Sequence, residues 1–234
     1  MASNNKYNNK ISNNIKLEQI PGIGPKKLEE LKKKYKVKKI KDLYDVNIFS
    51  KLSSETKAFL IYKPELCVSY KYIQKVEKFF KNNNIHGIIA GSYRRKKKES
   101  KDIDFISYIS FSRLKKILES NNIELYIHSQ GPDKVGAIMD IFRKRVRIDI
   151  WFPKKEERVF YLFYATGNAT FNIIMRDKAK KQGYLLNRHG LFYVNTSNNS
   201  NNSTRLRRIK GIKSEKDIME KLGKEYLEPE KRVY

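Results

Sequence analysis

One constellation in this sequence has residue types and spacing suited to phosphate chemistry: Gly91-Ser92-Tyr93-Arg94-Arg95, a short basic loop, Asp102-Ile103-Asp104 and, much later, Arg147-Ile148-Asp149. On a strand, residues two apart point to one face, so Asp102 and Asp104 present paired carboxylates. Asp149, on a neighbouring strand, could complete an oxygen cage of the kind that hard divalent cations favour. Two such ions about 3.5 to 4 Å apart can activate an attacking oxygen while neutralising charge on a leaving phosphate. The Gly-Ser turn supplies close backbone approach and donors for a triphosphate, with Arg95 as the countercharge. A lone Asp-x-Asp is most often an edge strand with solvent-facing acids. The Gly-Ser ten residues upstream and the third strand-borne aspartate weigh against that reading here.

The elements that must position these residues are legible in the hydrophobic period. Lys26 to Lys36, Glu55 to Tyr62 and Val68 to Asn82 carry apolar residues at helical spacing, so the first 66 residues are expected to be all-helical. From Ile85 short apolar runs take over: IHGIIAG, DIDFISYI, IELYIHS, KVGAIMDIF and RVRIDIWF, with one helical stretch at Ser112 to Glu119. That pattern predicts a mixed, largely antiparallel sheet with helices, an α+β fold. Beyond Lys154 the helical period returns through Lys181. Two short strands follow around Tyr184 and Leu191, then a last helix near Glu215 to Leu222. Residues 1 to 16 and Thr196 to Thr204 are polar and low in complexity, and read as mobile segments.

Composition bounds the partner class. With 39% hydrophobic residues in 234, the chain can bury one sizeable core or two to three small ones. Its 51 Lys+Arg against 25 Asp+Glu give a formal net charge of +26, which calls for a polyanionic partner. Charge alone leaves a generic basic RNA-binding protein as open as a nucleic-acid enzyme, because basicity shows phosphate affinity and no chemistry. The single cysteine, Cys67, excludes an intramolecular disulfide and a Cys-based metal cluster; it is expected as a small buried hydrophobe in a reducing compartment. His86, His128 and His189 have no ligand spacing, so zinc is not expected. No window approaches the ~18 apolar residues of a membrane span, nor is there a signal-peptide apolar region. A soluble, intracellular protein follows as the expectation.

The spacing of GS, DID and RID resembles the nucleotidyltransferase superfamily, and GSYRRKKKESKDIDF resembles the corresponding stretch of the family X DNA polymerases, the DNA polymerase beta kind. LEQIPGIGPKKLEELKKKYKVKKIKDLY resembles a helix-hairpin-helix, whose Gly-Ile-Gly turn offers backbone amides to a phosphate without reading a base. YATGNATFNIIMR is similar to the family's nucleotide-binding helix, and SEKDIMEKLGKEYLEPEKR to its closing segment. The resemblance implies fingers over 17 to 66, palm over 67 to 155 and thumb over 156 to 234. It also implies two metal ions, Mg2+ or Mn2+ in its place, bound by Asp102 and Asp104, with Asp149 joining the catalytic metal and accepting the primer hydroxyl's proton. Arg147 would orient those acids. Gly91, Ser92, Arg95 and Ser100 would meet the triphosphate; Tyr164 and Gly167 would line the sugar; Asn172 and Arg176 would monitor the base pair and template. Gly22, Ile23, Gly24 and Lys26 would meet DNA, and the carbonyls of Glu18, Ile20 and Ile23 would face Na+ or K+.

Departures from the pattern are specific. The aromatic that normally follows the sugar-contacting Tyr is Ala165; Ala169 stands near the incoming base, and Ile173 replaces a residue that is often basic. Where relatives pair an Arg two residues beyond the third Asp with a thumb Glu, this chain has Trp151 and Arg188, so the usual conformational switch is not expected to transfer. About 16 residues precede the fingers-like segment, which leaves no room for the family's N-terminal lyase domain. The hairpin joining KVGAIMDIF to RVRIDIWF is little more than Arg143 to Arg145, which favours template dependence. The expected activity is monomeric, template-directed gap filling in DNA repair, acting on primer-template or gapped duplex with deoxynucleoside triphosphates. The alternatives are another nucleotidyltransferase, such as an RNA-tailing enzyme, or a catalytically inactive DNA-binding scaffold. The Lys/Asn/Ile bias points to an AT-rich genome such as that of a large DNA virus, which leaves nucleus, host cytoplasm and virion open.

Overall fold

Helices begin where the sequence supplies a side-chain oxygen for the free amides of a first turn. In the computed structural model, which describes residues 15–196 and 204–232, Asp45, Ser53, Ser69, Ser110, Asn168 and Ser214 all cap helices in this way. A single 3-10 turn, Leu17–Gln19, precedes α1 (Pro25–Tyr35), which opens with proline at its first position. Helices α2 (Val46–Ser50) and α3 (Ser54–Tyr62) follow, and Leu17, Ile20, Ile23, Leu31, Leu43, Phe59 and Leu60 close a core among them.

The central part runs β1 (Val68–Ser69), α4 (Tyr70–Asn82), β2 (Gly87–Ile89), α5 (Gly91–Arg94), β3 (Glu99–Ser100), β4 (Ile103–Ser107), α6 (Phe111–Ser120), β5 (Glu124–Gln130), β6 (Lys134–Ile141) and β7 (Lys144–Trp151). Five of these strands form a sheet in the order β2-β4-β7-β6-β5, while β1 and β3 pair separately. Every pairing in the large sheet is antiparallel except β4 with β7. Residues alternate faces. Ile103, Phe105, Ala137, Met139, Ile148 and Ile150 pack with Ile73, Val76 and Phe80 of α4 and Leu114 and Leu118 of α6. The charged residues of the same strands are thereby left on the opposite face.

Helices α7 (Arg158–Thr166) and α8 (Ala169–Lys181), strands β8 (Tyr184–Asn187), β9 (Gly190–Thr196) and β10 (Thr204–Arg208), and α9 (Glu215–Lys221) complete the chain. Phe160, Phe163, Phe171, Met175, Leu191, Ile218 and Leu222 form their core around the antiparallel sheet β10-β9-β8. The architecture is α+β with a mixed, largely antiparallel sheet, as the apolar runs predict. Sequence reasoning missed β10, the small β1 and β3 pair and the helical turn α5. The low-complexity stretches at 1–16 and 196–204 lie almost wholly outside the described residues. Cys67 is exposed rather than buried; it lies just before β1, where no apolar core reaches it. No described helix is long and apolar enough to cross a membrane.

Candidate active site

The parallel pairing of β4 with β7 sets Asp104 directly beside Asp149 in the ladder. Asp102 lies just before β4 rather than within it, at the open end of the same strand. Three carboxylates thus converge on the sheet face turned away from α4 and α6. Burial pushes the Asp104 carboxyl up to about 7, and the charges of Asp102 and Asp149 push it the same way. Burial also raises Asp102; Arg147 opposes this, and Asp149 adds to it. Such a cluster of hard oxygen donors, held together against their mutual repulsion, fits a divalent cation. Gly91 is part of that fit: it has φ +60, and a Cβ there would lie 2.1 Å from Asp104 Oδ2. Among the described residues, no three His, Cys, Asp or Glu side chains already stand as a ready ligand set. One of the acids already has a partner: Lys134 Nζ donates to Asp149 Oδ2 at 2.6 Å.

Arg147 does not hydrogen-bond to the acids it was expected to orient. Its Nη2 donates to the Lys101 carbonyl at 2.8 Å, which fixes the backbone just before Asp102, and its Nη1 lies 3.6 Å from Glu55 Oε1 of α3.

The triphosphate candidates gather on α5 and β3. Ser92 Oγ donates to Ser100 Oγ at 2.7 Å, and Arg95 Nη1 donates to the Thr166 carbonyl at 2.7 Å, while Arg95 Nε is buried without a partner. Arg95 therefore joins the end of α5 to the turn between α7 and α8. In that turn Asn172 Nδ2 donates to the Tyr164 carbonyl at 2.8 Å, and a Cβ on Gly167 would collide with Phe171 and Asn172. Arg176 is exposed, with Nε donating to the Asn172 carbonyl at 3.1 Å. Ile173 is exposed on the same helix. Arg94, not singled out in the sequence, donates to Thr166 Oγ1 and to both oxygens of Glu215, which also accepts from fully buried Arg232.

Trp151 and Arg188 meet, though not as an acid and base pair. The guanidinium carbon of Arg188 lies 5.6 Å from the Trp151 ring centre, and Arg188 Nε donates to Asp133 Oδ2 at 3.0 Å. Tyr161 also donates to Asp133. Burial raises Asp133, but the hydrogen bonds from Tyr161 and Arg188 outweigh it and hold the carboxyl below its ordinary range.

The expected DNA-contacting turn runs from Gly22 to Lys26, with Glu55 of α3 near Gly22. Gly22 has φ +79, and a Cβ on it would meet the hydroxyls of Ser53 and Thr56 at 2.5 Å. Thr56 Oγ1 donates to the Pro21 carbonyl at 2.9 Å. Gly24 and Lys26 are exposed at the start of α1. Among the described residues, the helix expected ahead of the hairpin is only the 3-10 turn at Leu17–Gln19, in which Glu18 lies. The Ile20 carbonyl accepts from Ile23 N at 3.1 Å, so one of its lone pairs is taken by the turn itself.

A mixed sheet with adjoining aspartates beside a Gly-Ser turn is followed by a small α/β unit. Residues 161–233 match the family model for the DNA polymerase beta thumb. The chain is 26% identical over 150 residues to "Repair DNA polymerase X" of African swine fever virus, covering 62% of this chain and 80% of that protein. It is 32% identical over 109 residues to "DNA polymerase/3'-5' exonuclease PolX" of Bacillus subtilis, 46% of this chain and 19% of that one. The fold is shared with Leishmania infantum polymerase beta in its ternary gap complex, with a TM-score of 0.74, 23% identity, and 94% and 89% of the two chains covered. The chain is thus similar in sequence to repair polymerases of the X family, and its residues 161–233 match the DNA polymerase beta thumb.

Proposed function

We propose that this protein is a family X DNA polymerase that fills short gaps in damaged DNA, adding deoxynucleotides to a primer 3'-hydroxyl as a monomer, with two Mg2+ ions, for which Mn2+ can substitute, held by Asp102, Asp104 and Asp149. The observation that carries this reading is the adjacency of Asp104 and Asp149 across the parallel ladder, with Asp102 at its mouth and the Ser92 and Ser100 hydroxyls and Arg95 beside it. Bound there, the metal ions would withdraw charge from the reacting oxygens. Asp149 would accept the primer hydroxyl's proton, while Arg147 positions Asp102 through the Lys101 carbonyl. Gly91, Ser92, Ser100 and Arg95 would hold the triphosphate, Tyr164 and Gly167 the sugar, and Asn172 and Arg176 the base pair and template. Residues 17–66 would act as fingers, 67–155 as palm and 156–234 as thumb. Gly22, Ile23, Gly24 and Lys26 would grip a phosphate, with Na+ or K+ against the carbonyls of Glu18, Ile20 and Ile23. The viral relative named a repair DNA polymerase X, the bacterial relative named a DNA polymerase, and the neighbour solved as a ternary gap complex support this reading.

Extension of a one-nucleotide gap with all four deoxynucleotides and magnesium tests it. Asp102→Ala, Asp104→Ala and Asp149→Ala should each cost about 4 kcal/mol of transition-state stabilisation, on the order of a thousandfold in rate. DNA affinity should stay within a few fold, since these groups hold metal rather than phosphate. Near-normal turnover by any of the three, with magnesium as the sole metal, would refute the assignment.

A further inference from the structure

We infer that Lys134 is a positioning residue for Asp149 that competes with a divalent cation for the same carboxylate oxygen, with the Trp151 indole as the second seat of its ammonium. The inference rests on the reading of Asp149 as a metal ligand and goes beyond it.

Three observations carry it. Among the described residues, the Lys134 hydrogen bond at 2.6 Å is the only one made to any of the three carboxylates. The register explains how Lys134 reaches: Gly136 lies opposite Asp149, with Ser129 and His128 of β5 packed where its side chain would be, and Lys134 is two residues along on the same face. The residue opposite Lys134 is Trp151, whose ring centre lies 4.5 Å from the same Nζ. A lysine ammonium is a compact charge on a flexible stem, so it can leave the carboxylate without leaving the aromatic face. The pair is also only about one-third exposed on each side, which keeps it from being a fully screened surface contact. A cation arriving at Asp149 must therefore displace an existing partner, and the protein's apparent metal affinity is reduced by the strength of that partner.

The test is Mn2+ binding to the full chain without DNA or nucleotide, read from loss of the free-ion electron paramagnetic resonance signal. Lys134→Met should bind Mn2+ about tenfold more tightly than wild type, equivalent to about 1.4 kcal/mol. Lys134→Arg, which keeps the charge, should remain near wild type, and Asp149→Asn should bind weakly. Trp151 is the chain's single tryptophan, so its emission is a second readout: Mg2+ should change it in wild type and much less in Lys134→Met. Equal or weaker Mn2+ affinity in Lys134→Met, with Asp149→Asn still impaired, overturns the competition while leaving the ligand assignment standing. Wild-type affinity in Asp149→Asn overturns the ligand assignment, and this inference with it.

Discussion

At the scale of single residues, the proposed place of Tyr164 against the sugar makes sugar choice depend on what supports its turn. Ala165 removes the ring that the family pattern places beneath an incoming sugar, and the sequence by itself suggests a loose turn that tolerates a 2'-hydroxyl. Two other side chains take up the support. The Trp151 ring meets the Tyr164 ring edge-on at 6.2 Å, and Asn172 holds the Tyr164 carbonyl at 2.8 Å. Ala165 packs against the same cluster of Ala90, Ile106, Trp151 and Tyr161. Steric exclusion is a differential effect, so the quantity to measure is the ratio of kcat/KM for deoxy- over ribonucleotide. Asn172→Ala should lower that ratio by about five- to tenfold, the worth of roughly one hydrogen bond of 1 to 1.4 kcal/mol. An Asn172→Ala enzyme with an unchanged ratio assigns the gate to another residue. The acids and the Gly-Ser turn could be singled out because motif spacing marks them, and Asn172 through the resemblance of its helix to the family's nucleotide-binding helix. Lys134 could not, because its contact with Asp149 comes from a cross-strand register, which leaves no local signature.

At the scale of elements, hydrophobic period located every long helix and every strand of the large sheet to within a few residues, because each has one face committed to a core. It did not reveal that β4 and β7 run parallel, since pairing between strands distant in sequence is decided by packing rather than by local pattern. It also did not reveal β10, which begins inside a polar tract and pairs along only one edge. Nor did it reveal what joins α9 to α5. Glu215 is buried between Arg94 of α5 at 2.7 Å and Arg232 at 2.6 Å. Burial raises its carboxyl, but the hydrogen bonds from Arg94 and Arg232 outweigh that and bring it below the ordinary carboxylate range. A depressed folded pKa contributes stability that is present above the unfolded value, near 4.5, and is lost as pH falls through the folded one. Glu215→Gln leaves Arg232 buried without a countercharge, which should cost about 3 kcal/mol at neutral pH. Thermal unfolding of the two proteins across pH checks this: the gap in Tm should be widest near pH 7 and narrow as the pH drops below about 4.5. A gap that stays constant through acid would mean that the loss is one of packing and not of charge.

At the scale of the whole molecule, the formal charge of +26 has few internal uses. Several surface lysines are paired along their own helices, as Lys33 is with Glu29 and Lys181 with Asp177, and such exposed pairs contribute little to stability. Around α1, Lys26, Lys32, Lys34, Lys36, Lys38 and Lys39 are exposed. Excess cations concentrated beside a backbone-donating turn suit a grip on phosphates that reads no sequence, and that grip draws its free energy from released counterions. If about 6 phosphates are engaged, affinity for gapped duplex should fall on the order of a thousandfold between about 50 and 200 mM salt. Lys26→Ala, next to the Gly22 to Gly24 turn, should weaken binding equally on unrelated sequences and reduce the slope of log affinity against log salt by about 1. Fluorescence anisotropy of labelled gapped DNA over a salt series measures both quantities. A nearly flat titration would mean that contacts other than charge hold the DNA, and an unchanged slope in Lys26→Ala would place the phosphate grip elsewhere than at this turn.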